Sequence, residues 1–265
     1  VQALFSEFRE MVTEQIEYRQ LLVQMTLRDL LLRYKQTVMG FAWAVFMPLL
    51  NTAVFSVIFT RVAPIETPVE YPLFAYCGLW VWNFFASSLR FSVSSLTSNS
   101  NLVTKVYFPR EIFPVSSVIV CFIDFAVGAS VLVALMAWYG VAPSLHLAWL
   151  PLVVATQVMF TCAMALLVSM ANLFYRDVKY LFEVVITVWM FATSVIYPVD
   201  RIGGTLGRLL QFNPMTPIVD GYRAVILLGA PPPPEFAGAV AGSAALLLIA
   251  WLVFHRSEFR FAERI

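Results

Sequence analysis

Residues 114–139 read PVSSVIVCFIDFAVGASVLVALMAWY, 26 positions carrying one charged side chain, Asp124. At 1.5 Å per residue a helix of this length reaches ~39 Å, more than the ~30 Å of hydrocarbon in a bilayer. Five further apolar runs lie on either side, at about 41–59, 72–89, 147–171, 180–197 and 236–254. Together they predict an all-α membrane protein with six transmembrane helices. The composition points the same way. The 265 residues are 60% hydrophobic and 12% charged, with a mean hydropathy of +0.80. Soluble domains carry about 25% charged residues. A soluble enzyme, a nucleic-acid binder and a disordered tail are excluded on these figures. The net charge of +1 supplies no overall field to recruit an acidic partner.

Six crossings place both termini on one side, and the basic residues select it. The N-terminal segment, the 90–110 connection, the 176–179 connection and the C-terminal tail hold thirteen of the 17 Lys and Arg. The opposite connections hold Arg61, Arg201, Arg208 and Arg223. Cytoplasmic loops retain Lys and Arg, so both termini are predicted cytoplasmic. The first 35 residues alternate charged and apolar side chains, without the unbroken apolar core of a secretory signal.

Residues 2–33 read as an amphipathic helix. Leu4, Phe5, Phe8, Met11, Val12 and Ile16 recur at helical spacing, with Glu7, Glu10, Glu14, Glu17 and Arg19 between them. Such a helix lies in the membrane interface, or packs on a partner subunit. Residues 198–235 hold two apolar pieces, 206–212 and 218–228, too short to span and parted by Asn213-Pro214-Met215-Thr216-Pro217. They suit a re-entrant hairpin between the fifth and sixth crossings, or a compact external loop. In the 94–110 segment, Leu102, Val103, Val106 and Tyr107 make an apolar stripe that Pro109 brings to an end. The predicted two-turn helix has no core of its own, so it plugs a groove on another protein or lies on the membrane.

Covalent chemistry finds little support. His146 and His255 sit at helix ends predicted on opposite sides. There is no HExxH, no GxSxG and no Gly-Lys dipeptide, hence no phosphate-binding loop for ATP. Cys77, Cys121 and Cys162 each lie within an apolar run, with no disulfide or metal-ligand spacing, and read as small buried hydrophobes. Asp124 must face protein or water and find a partner, because a carboxylate in hydrocarbon costs roughly 2.5–3.5 kcal/mol on insertion scales. It serves either a conduction path or a structural pairing. Asp124 and Asp220 lie at different predicted depths with no His nearby. An intramembrane enzyme acting on polyprenyl lipids is the weakest alternative on that ground.

Four motifs resemble one family. Arg33-Tyr34-Lys35-Gln36-Thr37 with Gly40, Trp43 and Pro48 resembles the start of the first crossing in ABC-2-type polysaccharide exporters. Phe108-Pro109-Arg110-Glu111-Ile112-Phe113-Pro114 is similar to the end of their coupling segment, and Asn172-Leu173-Phe174-Tyr175-Arg176-Asp177-Val178 to their second cytoplasmic loop. Asn213-Pro214 with Arg223 is similar to their outer-face hairpin. The resemblance covers nearly the whole chain and is nearest to the membrane subunits of O-antigen exporters, then capsule and teichoic-acid exporters.

That resemblance implies an ABC-2 fold in a bacterial inner membrane. It implies a homodimer, two copies of a separate cytoplasmic ABC ATPase, and a cargo of undecaprenyl-pyrophosphate-linked polysaccharide. This chain would bind no cofactor and no metal, with ATP and Mg on the ATPase. Contact with the ATPase would fall to Asn99, Leu102, Val103, Lys105, Val106, Tyr107 and Phe108, with Arg176 and Asp177. Cations where the interface helix meets the first crossing, Arg28, Arg33 and Lys35, suit the lipid pyrophosphate; they also suit plain topology anchoring. Trp43, Phe46, Trp189 and Tyr197, with Asp124, are the candidate channel lining, chosen by position. An ABC-2 exporter of a small lipid or drug is the remaining transport alternative.

Overall fold

A computed structural model describes residues 13–35, 40, 42–105, 108–198, 210 and 213–261. Among these residues the secondary structure is helical, with no strand. Helix α1 is Arg19–Tyr34. Helix α2, Ala42–Val57, contains Pro48 and runs on into a π-helical turn at Ile58–Val62. Pro48 has no amide hydrogen for the helix ladder, and the Thr52 hydroxyl donates to its carbonyl at 2.8 Å. Helix α3 is Tyr71–Val93. Two short helices follow, α4 at Ser95–Ser98 and α5 at Ser100–Lys105. Helix α6 covers Ile112–Tyr139 and stops at Gly140, whose φ of 71° is the left-handed geometry of a helix C-cap. A 3₁₀ turn at Leu145–Trp149 leads into α7, Leu150–Phe174. Then come α8, Val178–Phe191, α9, Met215–Ile226, and α10, Glu235–Ser257, with a closing 3₁₀ turn at Glu258–Arg260.

Four helical stretches among the described residues have both the length and the apolarity to cross a membrane: Val45–Val62, Ile112–Trp138, Leu145–Phe174 and Glu235–Arg260. Helix α3 has 23 residues, but its Tyr, Trp, Asn, Ser and Arg side chains dilute its apolar character. Helix α8 has only 14 residues, ~21 Å of helix, and the chain turns at 192–197.

Helix α3 forms the centre. Leu73, Tyr76, Val81, Phe85 and Leu89 are buried on it, and it packs against α2, α6 and α7. The α3–α6 contact is close because Gly128 leaves room for an indole; a Cβ there would stand 2.8 Å from Trp80 Cδ1. The Trp80 ring stacks on Phe125 at 4.0 Å, and its N–H donates to the Phe125 carbonyl at 2.8 Å. Helices α2 and α8 each keep an apolar face outside this core, although Phe182 and Ile186 of α8 are buried in it. Phe46, Leu50, Val54 and Val57 on one, and Leu181, Val184, Val185 and Val188 on the other, remain exposed. Apolar rows of this extent are unstable in water and suit lipid or another protein surface.

The 213–226 segment is drawn into the bundle. On α9, Met215, Ile218, Val219, Tyr222 and Val225 are fully buried. Asn213 donates to the Ala192 carbonyl at 2.8 Å and accepts from the Trp189 indole at 2.9 Å, satisfying the end of α8. Arg223 donates to the carbonyls of Ser194 and Val195, the latter at 2.6 Å, and its guanidinium lies 3.5 Å from the Phe74 ring centroid. Gly78 makes this possible, because a Cβ would come within 2.2 Å of the Val195 oxygen and 2.4 Å of Arg223 Nη2. Of the first apolar piece, 206–212, only Leu210 is among the described residues.

At the other end of the bundle a second apolar cluster joins Leu96, Val103, Phe108, Ile112, Leu173, Phe254 and Phe261, with Tyr18, Leu21, Leu22 and Met25 of the N-terminal region packed on it. The N-terminal helix, the 94–110 segment, the end of α7 and the C-terminal end therefore gather at one place.

Candidate functional site

A cavity of about 490 Å³ opens where α1, α2, α3 and α6 meet. Helix α1 contributes Arg33 and Tyr34, and α2 contributes Trp43, Met47, Pro48 and Asn51. Helix α3 adds Trp80, Asn83, Phe84, Ser87 and Arg90, and α6 adds Cys121, Asp124, Phe125 and Gly128. Asp124 lies twelve positions into α6, ~18 Å along its axis from Ile112. Its carboxylate pairs with the Arg33 guanidinium at 2.7 Å, with side chains 15% and 27% exposed. The Tyr34 hydroxyl donates to the other Asp124 oxygen. Burial first, and then that hydrogen bond, push the Tyr34 phenol above its ordinary value, so it stays a donor. The Arg33 guanidinium also lies over the Phe91 ring, 4.4 Å from its centroid.

The arrangement offers a cation with a resident counter-ion beside a wall of rings. Trp80 and Phe125 are already stacked, and Phe84 leans on Phe125 at 5.1 Å. Asn83 and Ser87 supply hydrogen-bonding groups between them. Aromatic faces take the C–H surfaces of a ligand, polar side chains take its hydroxyls, and a guanidinium takes its oxyanions.

Of the residues singled out by sequence, Arg33, Trp43 and Asp124 come together at this cavity. Phe46 stands beside Trp43, 5.8 Å between centroids, and is 43% exposed. Arg28 pairs with Asp29 at 2.8 Å, and Lys35 is exposed at the end of α1. Trp189 packs among Trp82, Phe85 and Phe160 with its N–H given to Asn213. Tyr197 donates to the Phe191 carbonyl beyond the end of α8. Sequence reasoning passed over Trp80, Asn83, Phe84 and Ser87, and counted Arg90 only among the topology-setting cations. Asn83, Ser87 and Arg90 fall at i, i+4 and i+7, a polar line along an apolar run that marks a face turned from lipid.

The 94–110 segment departs from its reading as an outward apolar stripe. Val103 and Phe108 are buried in the chain's own second cluster, as is Leu96. The segment does have a core, because α7 and the C-terminal end of α10 close over it. Asn101 and Thr104 are exposed instead, Leu102 is half-buried, and Asn99 donates to the Ser95 carbonyl at 2.8 Å where α4 gives way to α5. The side chain of Lys105, with Val106 and Tyr107, lies outside the described residues. Arg176 and Asp177 are exposed at the turn between α7 and α8, where the Lys179 amide donates to the Asn172 side chain at 3.2 Å.

Comparison with known proteins adds the family. The model of the ABC-2 type transporter family matches residues 20–227. The O-antigen export system permease protein RfbA of Myxococcus xanthus is 32% identical over 258 residues, 96% of this chain and 99% of that protein. A protein of the same name from Klebsiella pneumoniae is 30% identical over 244 residues, 92% of this chain and 94% of its own length. With apolar helices long enough to cross a bilayer and a match over most of its length, the chain belongs to the ABC-2 type transporter family, as a multi-pass membrane permease.

Proposed function

We propose that this chain is the membrane subunit of an ATP-driven exporter that moves undecaprenyl-pyrophosphate-linked O-antigen across the bacterial inner membrane. One observation carries the reading: a cavity lined by aromatic rings with Arg33 at its edge, in a chain similar to O-antigen export permeases along nearly its whole length. In this reading Arg33 receives the pyrophosphate, and Asp124 is the counter-ion that holds Arg33 until the phosphate arrives. Lys35, exposed at the end of α1, adds to the local positive potential, whereas the charge of Arg28 is met by Asp29. Trp43 offers stacking surface to the first sugars, with the buried Trp80–Phe125 stack as part of the cavity wall and Phe46, Trp189 and Tyr197 as further candidates along the path.

The chain pairs with a second copy through exposed apolar rows such as that of α8, and each copy docks a separate ABC ATPase that holds ATP and Mg. Six crossings with a re-entrant 198–235 hairpin complete the topology; α3 crosses within the protein-lined interior, where hydropathy is less demanding, and α8 crosses at the seam with the second copy. Both termini are cytoplasmic. The gathering of the N-terminal helix, the 94–110 segment and the C-terminal end at one place supports this, since those elements carry most of the Lys and Arg. Asn101, Leu102 and Thr104 form the docking face, with Arg176 and Asp177 alongside. Capsule or teichoic-acid export would use the same pyrophosphate site. A small lipid or drug exporter would not need Arg33.

The test is reconstitution of the chain with its ATPase in nanodiscs, with ATP hydrolysis measured as undecaprenyl-pyrophosphate glycan is added. Stimulation is expected in the wild type and is lost in R33Q. T104E folds but co-purifies with less ATPase, whereas V103D, which buries a charge, does not fold. Glycan-independent hydrolysis unaffected by R33Q refutes the reading. Different glycans on the same carrier separate O-antigen from capsule and teichoic acid.

A further inference from the structure

Away from the cavity, three side chains with metal-ligating atoms meet at the end of the bundle formed by the second apolar cluster. Glu111 stands directly before α6, His255 in the last turn of α10 and Glu258 in the 3₁₀ turn after it. One ligand atom from each lies within 4.8 Å of the others. His255 Nδ1 is 3.7 Å from Glu111 Oε1 and 3.9 Å from Glu258 Oε1. Glu111 is 2% exposed and Glu258 6%.

Their neighbours meet the charge only in part, through the Arg110 guanidinium beside Glu258. The Trp251 indole donates to Glu111 Oε1 at 3.1 Å. Arg110 gives its two terminal nitrogens to backbone carbonyls, those of Glu258 and Val103. Among the described residues, Glu111 Oε2, Glu258 Oε2 and His255 Nδ1 are buried without a hydrogen-bond partner. Two desolvated carboxylates this close repel each other and call for a cation between them. A proton on Nδ1 adds one positive charge, but 3.7 and 3.9 Å are too long for it to hydrogen-bond to either carboxylate. An ion bound at about 2.1 Å from each ligand in a tetrahedral site would space the ligand atoms at about 3.4 Å. The two separations from His255 need only a few tenths of an ångström of closure, and the two carboxylates lie within 4.8 Å of each other.

We propose that Glu111, His255 and Glu258 form a binding site for one divalent transition-metal ion of the Zn²⁺ class. One imidazole nitrogen and two carboxylates favour Zn²⁺ over Mg²⁺ or Ca²⁺, which prefer oxygen ligands alone and more of them. The Trp251 N–H is the outer partner that orients Glu111. The bound ion clips the exit of the 94–110 segment, at Arg110-Glu111, to the end of the last helix. It therefore stiffens the exit of that segment without touching the cavity, and it does not depend on the identity of the transported molecule.

The experiment uses the full chain without a histidine tag, purified in detergent and stripped with a chelator. Calorimetric titration with Zn²⁺ is expected to give one ion per chain, with a raised thermal midpoint. Co²⁺ is expected to give the visible absorption of a four-coordinate N/O site. H255Q and E258Q are each expected to weaken Zn²⁺ binding at least tenfold. E258Q preserves side-chain volume, so it reports even if the His variant folds poorly. Absence of saturable Zn²⁺ binding by the wild type overturns the proposal, as does binding that survives in either folded variant. A thermal midpoint that follows pH but ignores Zn²⁺ also overturns it and assigns the cluster to a protonated His255.

Discussion

Replacing Asp124 by Asn isolates the counter-ion role of that carboxylate. The change keeps the side chain's size, leaves an acceptor for the Tyr34 hydroxyl and removes the charge opposite Arg33. The magnitude follows from exposure. At 15% and 27% exposure the pair lies between surface ion pairs, worth ~0.2–1 kcal/mol, and buried pairs, whose rupture costs about 3–5 kcal/mol. An intermediate of about 2 kcal/mol corresponds to ~30-fold in an equilibrium constant. If phosphate and Asp124 compete for the same guanidinium, D124N relieves the competition. Its affinity for undecaprenyl pyrophosphate is then expected to rise by about 10–30-fold. The assay is lipid binding to purified protein at two salt concentrations, by native mass spectrometry or fluorescence quenching. R33Q is expected to bind weakly, and D124N placed on R33Q is expected to restore nothing. Unchanged or weaker binding in D124N, or an equal gain in the R33Q background, refutes the counter-ion argument.

Two further expectations concern the fold. G78A pushes a methyl group against the Val195 backbone carbonyl and the buried Arg223 guanidinium. A loss of about 1–3 kcal/mol is expected, read as a lower thermal midpoint in detergent, and a neutral result would rule out the close approach. Y222F removes the donor to Gln157 Oε1, a bond of 2.6 Å, and leaves that oxygen buried. The expected cost is ~1–3 kcal/mol with lipid binding unchanged, measured by unfolding alongside the binding assay.

The helical class was legible because lipid allows little else: a run such as 114–139 has no stable alternative to a helix inside hydrocarbon. The need of Asp124 for a partner was legible too, on the cost of a lone carboxylate there. Its actual partners were not, since Arg33 and Tyr34 stand about ninety positions away and no periodicity links them. The inward turn of Val103 was hidden for the same reason. An apolar stripe looks identical whether α7 and α10 of the same chain cover it or another protein does. Gly78 and Arg223 carried a faint signal, a small residue in one apolar run and a cation in another. Only the folded packing reveals that one leaves room for the other. The polar line through Asn83, Ser87 and Arg90 was readable and marks one wall of the cavity.

The knot of bonds that Asn213 and Arg223 make with residues 192–195 has a mechanical consequence. Helix α8 begins at the exposed Arg176-Asp177 turn and ends in that knot, a stiff rod ~21 Å long. Any push or twist applied at the turn travels along the rod and drags α9 with it, because sliding one past the other would strip several carbonyls of their donors at once. The Arg176-Asp177 turn and α9 are thus geared together, and a displacement delivered at one end of α8 arrives at the other as a displacement of α9.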